Sequence, residues 1–402
     1  MMEESKFEFF DVCIVGASIA GNYLTYLLSN SNLRICVIEL HKEIGLPFQC
    51  AGIISQKLGQ LIELPKEIVL NRVNTAKIIS PSGNFINLSG KERPYVVDRI
   101  NLDRLFYTKV KDDKNITYYL GEKFKSFEYR FDGDKKTVLI ETSKRKIIAK
   151  MLIGCDGPLS IVGKQLKVKN DVIYASQIRI KAKFDEHEAA MYFNSQWKQL
   201  FGWIVPESNR IYRVGIASAN NVNKCFISLL NELNIDITNK IDQQGGIIPY
   251  GVMNRLAFDN ILLLGDAGGQ VKATTGGGII MLLTAAKYAS NCVKLCITNG
   301  NYSKRFINRH YEKPCSQTIG RDLKLHFIIR LMLENFRSKD FDKFFKIIKK
   351  SKIEHLISFY GDMDFPKALV FKLLRNRMVL SFMLKFLTKH PVIIFKMLKL
   401  LF

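Results

Sequence analysis

Two glycine-rich turns and one acid are the residues best spaced to do chemistry. Gly16-Ala17-Ser18-Ile19-Ala20-Gly21 follows an apolar run, Asp11 to Val15, and opens a helical stretch that reaches Leu28. In the dinucleotide fingerprint the first glycine makes a tight turn, the middle position admits a pyrophosphate, and the last lets helix and strand pack closely. The backbone N–H groups of the helix N-terminus then face the phosphates, with Ala17 and Ala20 lining the turn. Here the middle glycine is Ser18, so the turn alone equally describes an ordinary strand-to-helix connection. Glu39 lies 18 residues after Gly21, at the end of the next strand. A carboxylate there accepts hydrogen bonds from both ribose hydroxyls and disfavours a 2′-phosphate; the plainer reading is an exposed acid at a strand end. The later turn is Gly265-Asp266-Ala267-Gly268-Gly269 after the run Leu262 to Leu264, with Thr275-Gly276-Gly277-Gly278-Ile279 opening a helix beyond it. A glycine-led helix start suits an anionic or electron-rich group. No Ser/His/Asp set and no paired carboxylates stand out, and His41 and the other five histidines read as isolated surface residues.

The elements that must position these groups follow from periodicity. Asp11–Val15 and Leu33–Ile38 read as buried strands around a helix ending before Asn30-Ser31-Asn32, a βαβ opening that implies a parallel sheet. Residues 98–113 carry Leu102, Leu105, Phe106 and Val110 at helical spacing. Residues 117–153 alternate around Asp132-Gly133-Asp134, a hairpin signal, and end on the buried run Met151 to Ile153 before Gly154-Cys155-Asp156-Gly157. Residues 171–255 consist of short β-type segments, and the chain is helical from about 265 onward. The expected fold class is therefore α/β: a discontinuous Rossmann-like nucleotide domain (1–170 and 257–300), an inserted antiparallel sheet domain (171–256) and a helical, basic region (301–402).

With 402 residues, 47% of them hydrophobic and 24% charged, the chain folds around a large core and is not disordered. A net charge of +23 favours an anionic partner. The opening sequence lacks a basic stretch followed by a long apolar run, so a cytoplasmic protein is expected. The eight cysteines include no CxxC pair and no zinc spacing, and Cys292 and Cys296 fall in an apolar helix, so no metal is expected.

Together, the GxGxxG-like turn, the acid after the second strand, the central Asp156-Gly157 and the late Gly265-Asp266 resemble the para-hydroxybenzoate hydroxylase superfamily of flavoproteins. That resemblance implies non-covalent FAD, with Asp266 at its ribityl or pyrophosphate region and Gly278 and Ile279 by the isoalloxazine ring. Pro47-Phe48-Gln49-Cys50-Ala51-Gly52 resembles the PxxC segment of the geranylgeranyl reductase family, and Phe201-Gly202-Trp203-Ile204-Val205-Pro206 resembles the segment lining its isoprenoid cavity. Tyr95 to Arg104 is similar to that family's helix start, whose arginine touches FAD, which points to Arg99. The likeness covers residues 10–320. It implies a reductase of C=C bonds in geranylgeranyl chains, with Phe201, Trp203 and Pro206 against the chain and Cys50 and Ala51 beside the flavin. Cys50 would be the catalytic candidate or a small residue packed near the ring. The sequence departs from the family at Ser18, at Phe201 and Val205, and in Met281–Ala286, which lacks the usual small Ser-Gly. These departures bear on the substrate more than on the flavin.

Other readings stay open: a flavin monooxygenase or halogenase of the same superfamily, or a non-catalytic membrane-bound electron carrier. No second GxGxxG occurs, so NAD(P)H or a ferredoxin is equally open as electron donor. Oligomeric state is not readable. From Lys367 to Phe402 there is no acid, and basic residues alternate with bulky apolar ones. No uncharged stretch reaches the ~20 residues of a bilayer span. The pattern fits helices lying peripherally on an anionic membrane or a helical cap on the sheet domain, and no nucleic-acid module is present.

Overall fold

The computed structural model describes residues 7–401; residues 1–6 and 402, which fall within the expected domain limits, lie outside it. The main path of the eight-stranded first sheet runs Ala257–Phe258, Ile261–Leu263, Lys146–Gly154, Phe7–Val15, Ile35–Glu39 and Ile116–Leu120, and along this path all contacts except that of the first pair are parallel. Val12, Cys13 and Ile14 are all fully buried, so both faces of this strand are covered, which is why it reads as a continuous apolar run rather than an alternating one. The helix Ile19–Leu28 packs between Arg99–Val110 and Ile279–Asn299. The hairpin Phe124–Asp132 and Lys135–Thr142 turns at Gly133 and pairs with Lys146–Gly154. The fold class is the expected α/β.

The second sheet has seven strands in the order Lys240–Tyr250, Asp171–Lys181, Ile211–Ser218, Gly202–Ser208, Glu188–Tyr192, Thr75–Ile79 and Phe85–Leu88. Two differences from the sequence reading stand out. Thr75–Ile79 and Phe85–Leu88 come from within 1–170, not from 171–256, and the former pairs in parallel with Glu188–Tyr192. The inserted segment also carries a helix, Val222–Glu232, whose Phe226 and Leu229 pack on the back of the sheet. Pairing between segments more than a hundred residues apart leaves no local periodic signature.

The C-terminal region is helical: Arg321–Leu333, Ser338–Lys350, Glu354–Tyr360, Lys367–Leu374, Arg377–Thr388 and Pro391–Leu401. Its core of Phe336, Phe341, Phe345 and Phe382 includes Ile86 of the second sheet, so these helices do cap that sheet. Ile279–Asn299 is long and apolar enough to cross a bilayer, but most of it is buried in the core, and a bend of 103° separates Arg377–Thr388 from Pro391–Leu400.

The first turn is tight against its own backbone. Gly16 has φ +101°, and a Cβ there would collide with the Cys155 carbonyl; a Cβ at Gly21 would collide with the Gly16 carbonyl oxygen. Both clashes are with backbone, so no rotamer relieves them. Gly21→Ala is therefore expected to lower unfolding free energy by roughly 2–3 kcal/mol, measured by urea denaturation, whereas Gly133→Ala at the open hairpin turn should cost less.

Candidate active site: a nucleotide cradle opening into an apolar cavity

Buried strands carry the first turn to the edge of the sheet. Ser18 has φ −80°, which any residue adopts, so the middle position tolerates a side chain. Its hydroxyl donates to Asp103 Oδ2 (3.3 Å). Across the turn, Glu39 Oε2 accepts from the Ala17 N–H (2.7 Å), while Oε1 accepts from the His41 N–H (2.9 Å). His41 is not isolated as expected: its Nδ1 lies 2.9 Å from Glu39 Oε1.

Asp98 caps the helix that presents Arg99, accepting from the Asn101 N–H at 3.1 Å. Arg99 pairs with Asp103 (3.0 Å) on the next turn. Burial opposes its charge, yet Asp103 and the neighbouring Cys50 outweigh that and raise the Arg99 pKa above its usual range. Among the described residues its Nε and Nη1 have no hydrogen-bond partner of good geometry. Asp266 follows Gly265, which has φ +71°. Burial pushes its pKa up to about 6, with Arg99 pulling the other way.

The glycine-rich loop is held from a distance. Arg330, fully buried, donates through Nε to the Ala273 carbonyl (2.9 Å), through Nη2 to Thr274 (2.8 Å) and through Nη1 to Lys198 (3.2 Å). Burial alone lowers its pKa to about 10. Arg213, 2% exposed, pairs with Glu207 and donates to the Ala51 and Val97 carbonyls, pinning the Cys50–Gly52 segment to the second sheet. Gln177 donates to the Cys50 carbonyl (3.3 Å) and accepts from Trp203 Nε1 (2.8 Å).

These groups surround one cavity of about 1240 Å³. Ala20, Cys50, Ala51, Arg99, Asp266, Gly278 and Ile279 line one part of it, and Phe201 and Trp203 another; it continues past Phe341 to Met383 and Met397 of the C-terminal helices. Gly16, Ala17, Gly21 and Glu39 frame the turn beside it without lining it. Pro206, expected against the substrate, does not line it. Side chains alternate along Gly202–Ser208, so Trp203 and Val205 share the cavity face and Pro206 takes the other. Sequence reasoning missed Val205, Gln177, Arg213 and Arg330; the only sequence signal for the last three is a polar residue inside an otherwise apolar segment.

The arrangement fits FAD on its own terms. The first turn has no room for a Cβ at Gly16 or Gly21, the buried Nε–H of Arg99 has no hydrogen-bond partner among the described residues, and the cavity exceeds the roughly 300–1,000 Å³ of a common small-molecule site, leaving space for a second ligand. Because the folded-state pKa of Asp266 is raised, the flavin-free protein loses stability as pH climbs from about 4 through 6. Asp266→Asn should therefore stabilise flavin-stripped protein at pH 8 by about 2–3 kcal/mol and leave it unchanged at pH 3.5, as read by denaturant midpoints at the two pH values.

The sequence and the fold have counterparts among known proteins. An uncharacterised protein of Methanocaldococcus jannaschii is 26% identical over 390 residues, covering 91% of this chain and 95% of its own length. Digeranylgeranylglycerophospholipid reductase 1 of Methanococcoides burtonii is 26% identical over 378 residues, with 89% of each chain covered. A geranylgeranyl bacteriochlorophyll reductase-like protein from Thermoplasma acidophilum shares the fold, with a TM-score of 0.80 at 20% identity over 96% of this chain and 100% of that one. The FAD binding domain family matches residues 10–225, more than half the chain and the whole of the first glycine turn, so the protein belongs to the FAD binding domain family.

Proposed function

We propose that the protein is an FAD-dependent reductase that saturates C=C bonds in geranylgeranyl chains carried on prenyl membrane lipids. The observation that carries this reading is the continuity of the cavity: it leaves Arg99, Asp266 and Gly278 and runs on as an apolar channel past Trp203 and Phe201 into the C-terminal helices. A long, flexible hydrocarbon is the ligand that such a lining suits. The name of the Methanococcoides burtonii relative points the same way.

In this reading the turn at Gly16–Gly21 and Glu39 hold the adenosine half of FAD, and Arg99, Asp266 and the Gly276–Gly278 helix start hold the flavin half. Bound and reduced, FAD supplies a hydride. The chain's own residues do the rest. Trp203, Phe201 and Val205 hold the alkene and exclude water. Gln177 fixes the Trp203 indole and, through the Cys50 carbonyl, the segment that lies beside Arg99. Cys50 packs there as a half-buried thiol accepting from the Gly52 N–H at 3.3 Å.

We further propose that the C-terminal helices rest on the cytoplasmic face of an anionic membrane. Phe371, Leu384, Val392 and Phe395 are 58, 54, 65 and 70% exposed, in a region rich in lysine and without acids beyond residue 366. Phe371 and Leu374 are exposed and also line the cavity, so a lipid chain has an apolar route inward.

Dithionite-reduced protein, incubated without oxygen with a geranylgeranyl glycerolipid, is expected to reoxidise its flavin and add two hydrogens per reduced bond, read by mass spectrometry. Unchanged lipid, with NAD(P)H and O₂ consumed in air, would move the reading to a monooxygenase. Trp203→Ala should retain the flavin spectrum and lower kcat/KM by roughly 10–100-fold. Sedimentation with phosphatidylglycerol vesicles should exceed that with phosphatidylcholine and fall with salt. The double variant Phe371→Ser, Phe395→Ser should lose most of it, and equal binding to both lipids would sink the membrane proposal.

A further inference from the structure

Saturating a C=C bond needs a proton as well as a hydride, and the roles assigned above leave the source of that proton open. One group of charges interrupts the apolar lining. Lys272 begins the glycine-rich loop, 5% exposed, with Nζ 2.5 Å from Asp364 Oδ1 and donating to the Met363 carbonyl at 3.0 Å. Lys57 Nζ lies 2.8 Å from Asp362 Oδ1, 3.8 Å from Glu92 Oε1 and 3.9 Å from Asp364 Oδ2. Glu92 Oε2 accepts from the Met363 N–H at 3.1 Å. One oxygen from each of Glu92, Asp362 and Asp364 lies within 4.8 Å of the others.

Counting charges decides what this group holds. Three carboxyl groups face two ammonium groups, so ionising all three leaves a net negative charge on buried atoms, at a cost that one bound proton removes. Asp362 takes the ionised role: burial works to raise its pKa, but Lys57 and the N–H groups of Asp364 and Phe365 bring it below the usual carboxylate range. Asp364 is fully buried, and among the described residues its Oδ2 and Glu92 Oε1 have no hydrogen-bond partner. His326 adds no charge at neutral pH, because burial lowers its pKa to about 4 against the opposing pull of the Asp364 carbonyl, 2.9 Å from its Nε2. Asp322, itself offset by Lys367, is the other charge near Asp362. A divalent cation is disfavoured, since the Lys57 ammonium already lies within 4 Å of all three carboxyl groups.

The cluster also stands where a proton is wanted. Glu92, Asp362, Asp364 and Lys272 all line the cavity. A Cβ built at Gly277 would lie 3.4 Å from Lys272 Nζ, and one at Gly278 would lie 3.4 Å from Asp266 Oδ1, so the cluster adjoins the helix start assigned to the flavin. The Asp362 and Lys57 side chains are 28 and 25% exposed, a route to solvent.

We propose that Glu92 and Asp364 share one proton and donate it to the alkene, a role that rests on the reductase reading. The π bond is replaced by two C–H bonds. The hydride, with its electron pair, comes from reduced FAD; the proton comes from the carboxyl pair, which becomes fully ionised and is reprotonated from water through Asp362 and Lys57. Lys57 and Lys272 are positioning residues.

Infrared difference spectra of the flavin-loaded wild type are expected to show a protonated-carboxyl C=O band at pH 7 that shifts in D₂O and is lost in Asp364→Asn and Glu92→Gln. The same variants should slow anaerobic reoxidation of reduced flavin by geranylgeranyl glycerolipid about 10²- to 10⁴-fold and abolish its solvent isotope effect, while reoxidation by O₂ stays unchanged. No such band in the wild type overturns the proposal, with no variant needed to fold. So do variants within about threefold of wild type, or a stoichiometric Mg²⁺ or Ca²⁺ that survives dialysis and is released by EDTA. A wild type that leaves the lipid unreduced overturns the reductase reading and with it the donation step, and the band then decides the shared proton alone.

Discussion

The arrangement of the cavity depends on one buried cation. Arg330 sits on a C-terminal helix, fully buried, and spends its guanidinium on backbone carbonyls of Ala273 and Thr274 on the flavin side and Lys198 on the substrate side. It touches three separately built parts of the chain at once. No carboxylate lies in ion-pair contact with it among the described residues; carbonyl dipoles and the nearby Tyr250 and Glu334 oppose its desolvation, and burial still takes its pKa down to about 10. Loss of that side chain would leave these three carbonyls, and that of Leu200 at 3.5 Å, facing apolar surroundings and free the glycine-rich loop from the wall opposite.

The same solution recurs around the cavity. Arg213 with Glu207 anchors the Cys50–Gly52 segment, and Arg99 with Asp103 supports the first turn. Glu207 shows the energetic logic: burial works to raise its pKa, and Arg179 and Arg213 more than reverse it. Each pair is tied into backbone or side-chain hydrogen bonds as well, the condition under which a buried charge can be retained. Polar anchoring behind the wall leaves the surface that faces the ligand apolar, and that division suits a site meant to hold a hydrocarbon beside a charged cofactor.

Much of the nucleotide half was legible from local pattern. The strand to Val15, the helix to Leu28, the strand to Glu39 and the helix after Gly278 all read correctly, because runs buried on both faces and glycine-led turns leave short-range signatures. The sheet domain was less legible. Thr75–Ile79 pairs with Glu188–Tyr192, far away in sequence, and brings its hairpin partner Phe85–Leu88 into the sheet, and Pro206 was grouped with Phe201 and Trp203 by proximity although alternation turns it away.

By itself the sequence determined the residue types that nucleotide binding demands, since glycines without room for a Cβ and an acid at a strand end answer to local backbone geometry. It also determined the basic, apolar character of the last helices, which is composition. Only the tertiary structure decided that those helices cap the second sheet and extend the cavity, and that Glu92, Lys57, Lys272 and Asp364 meet on its wall. The physical reason is that burial and charge pairing are long-range: a lysine 300 residues from its carboxylate looks in sequence like any solvated lysine, and acquires its partner only when packing removes the water between them.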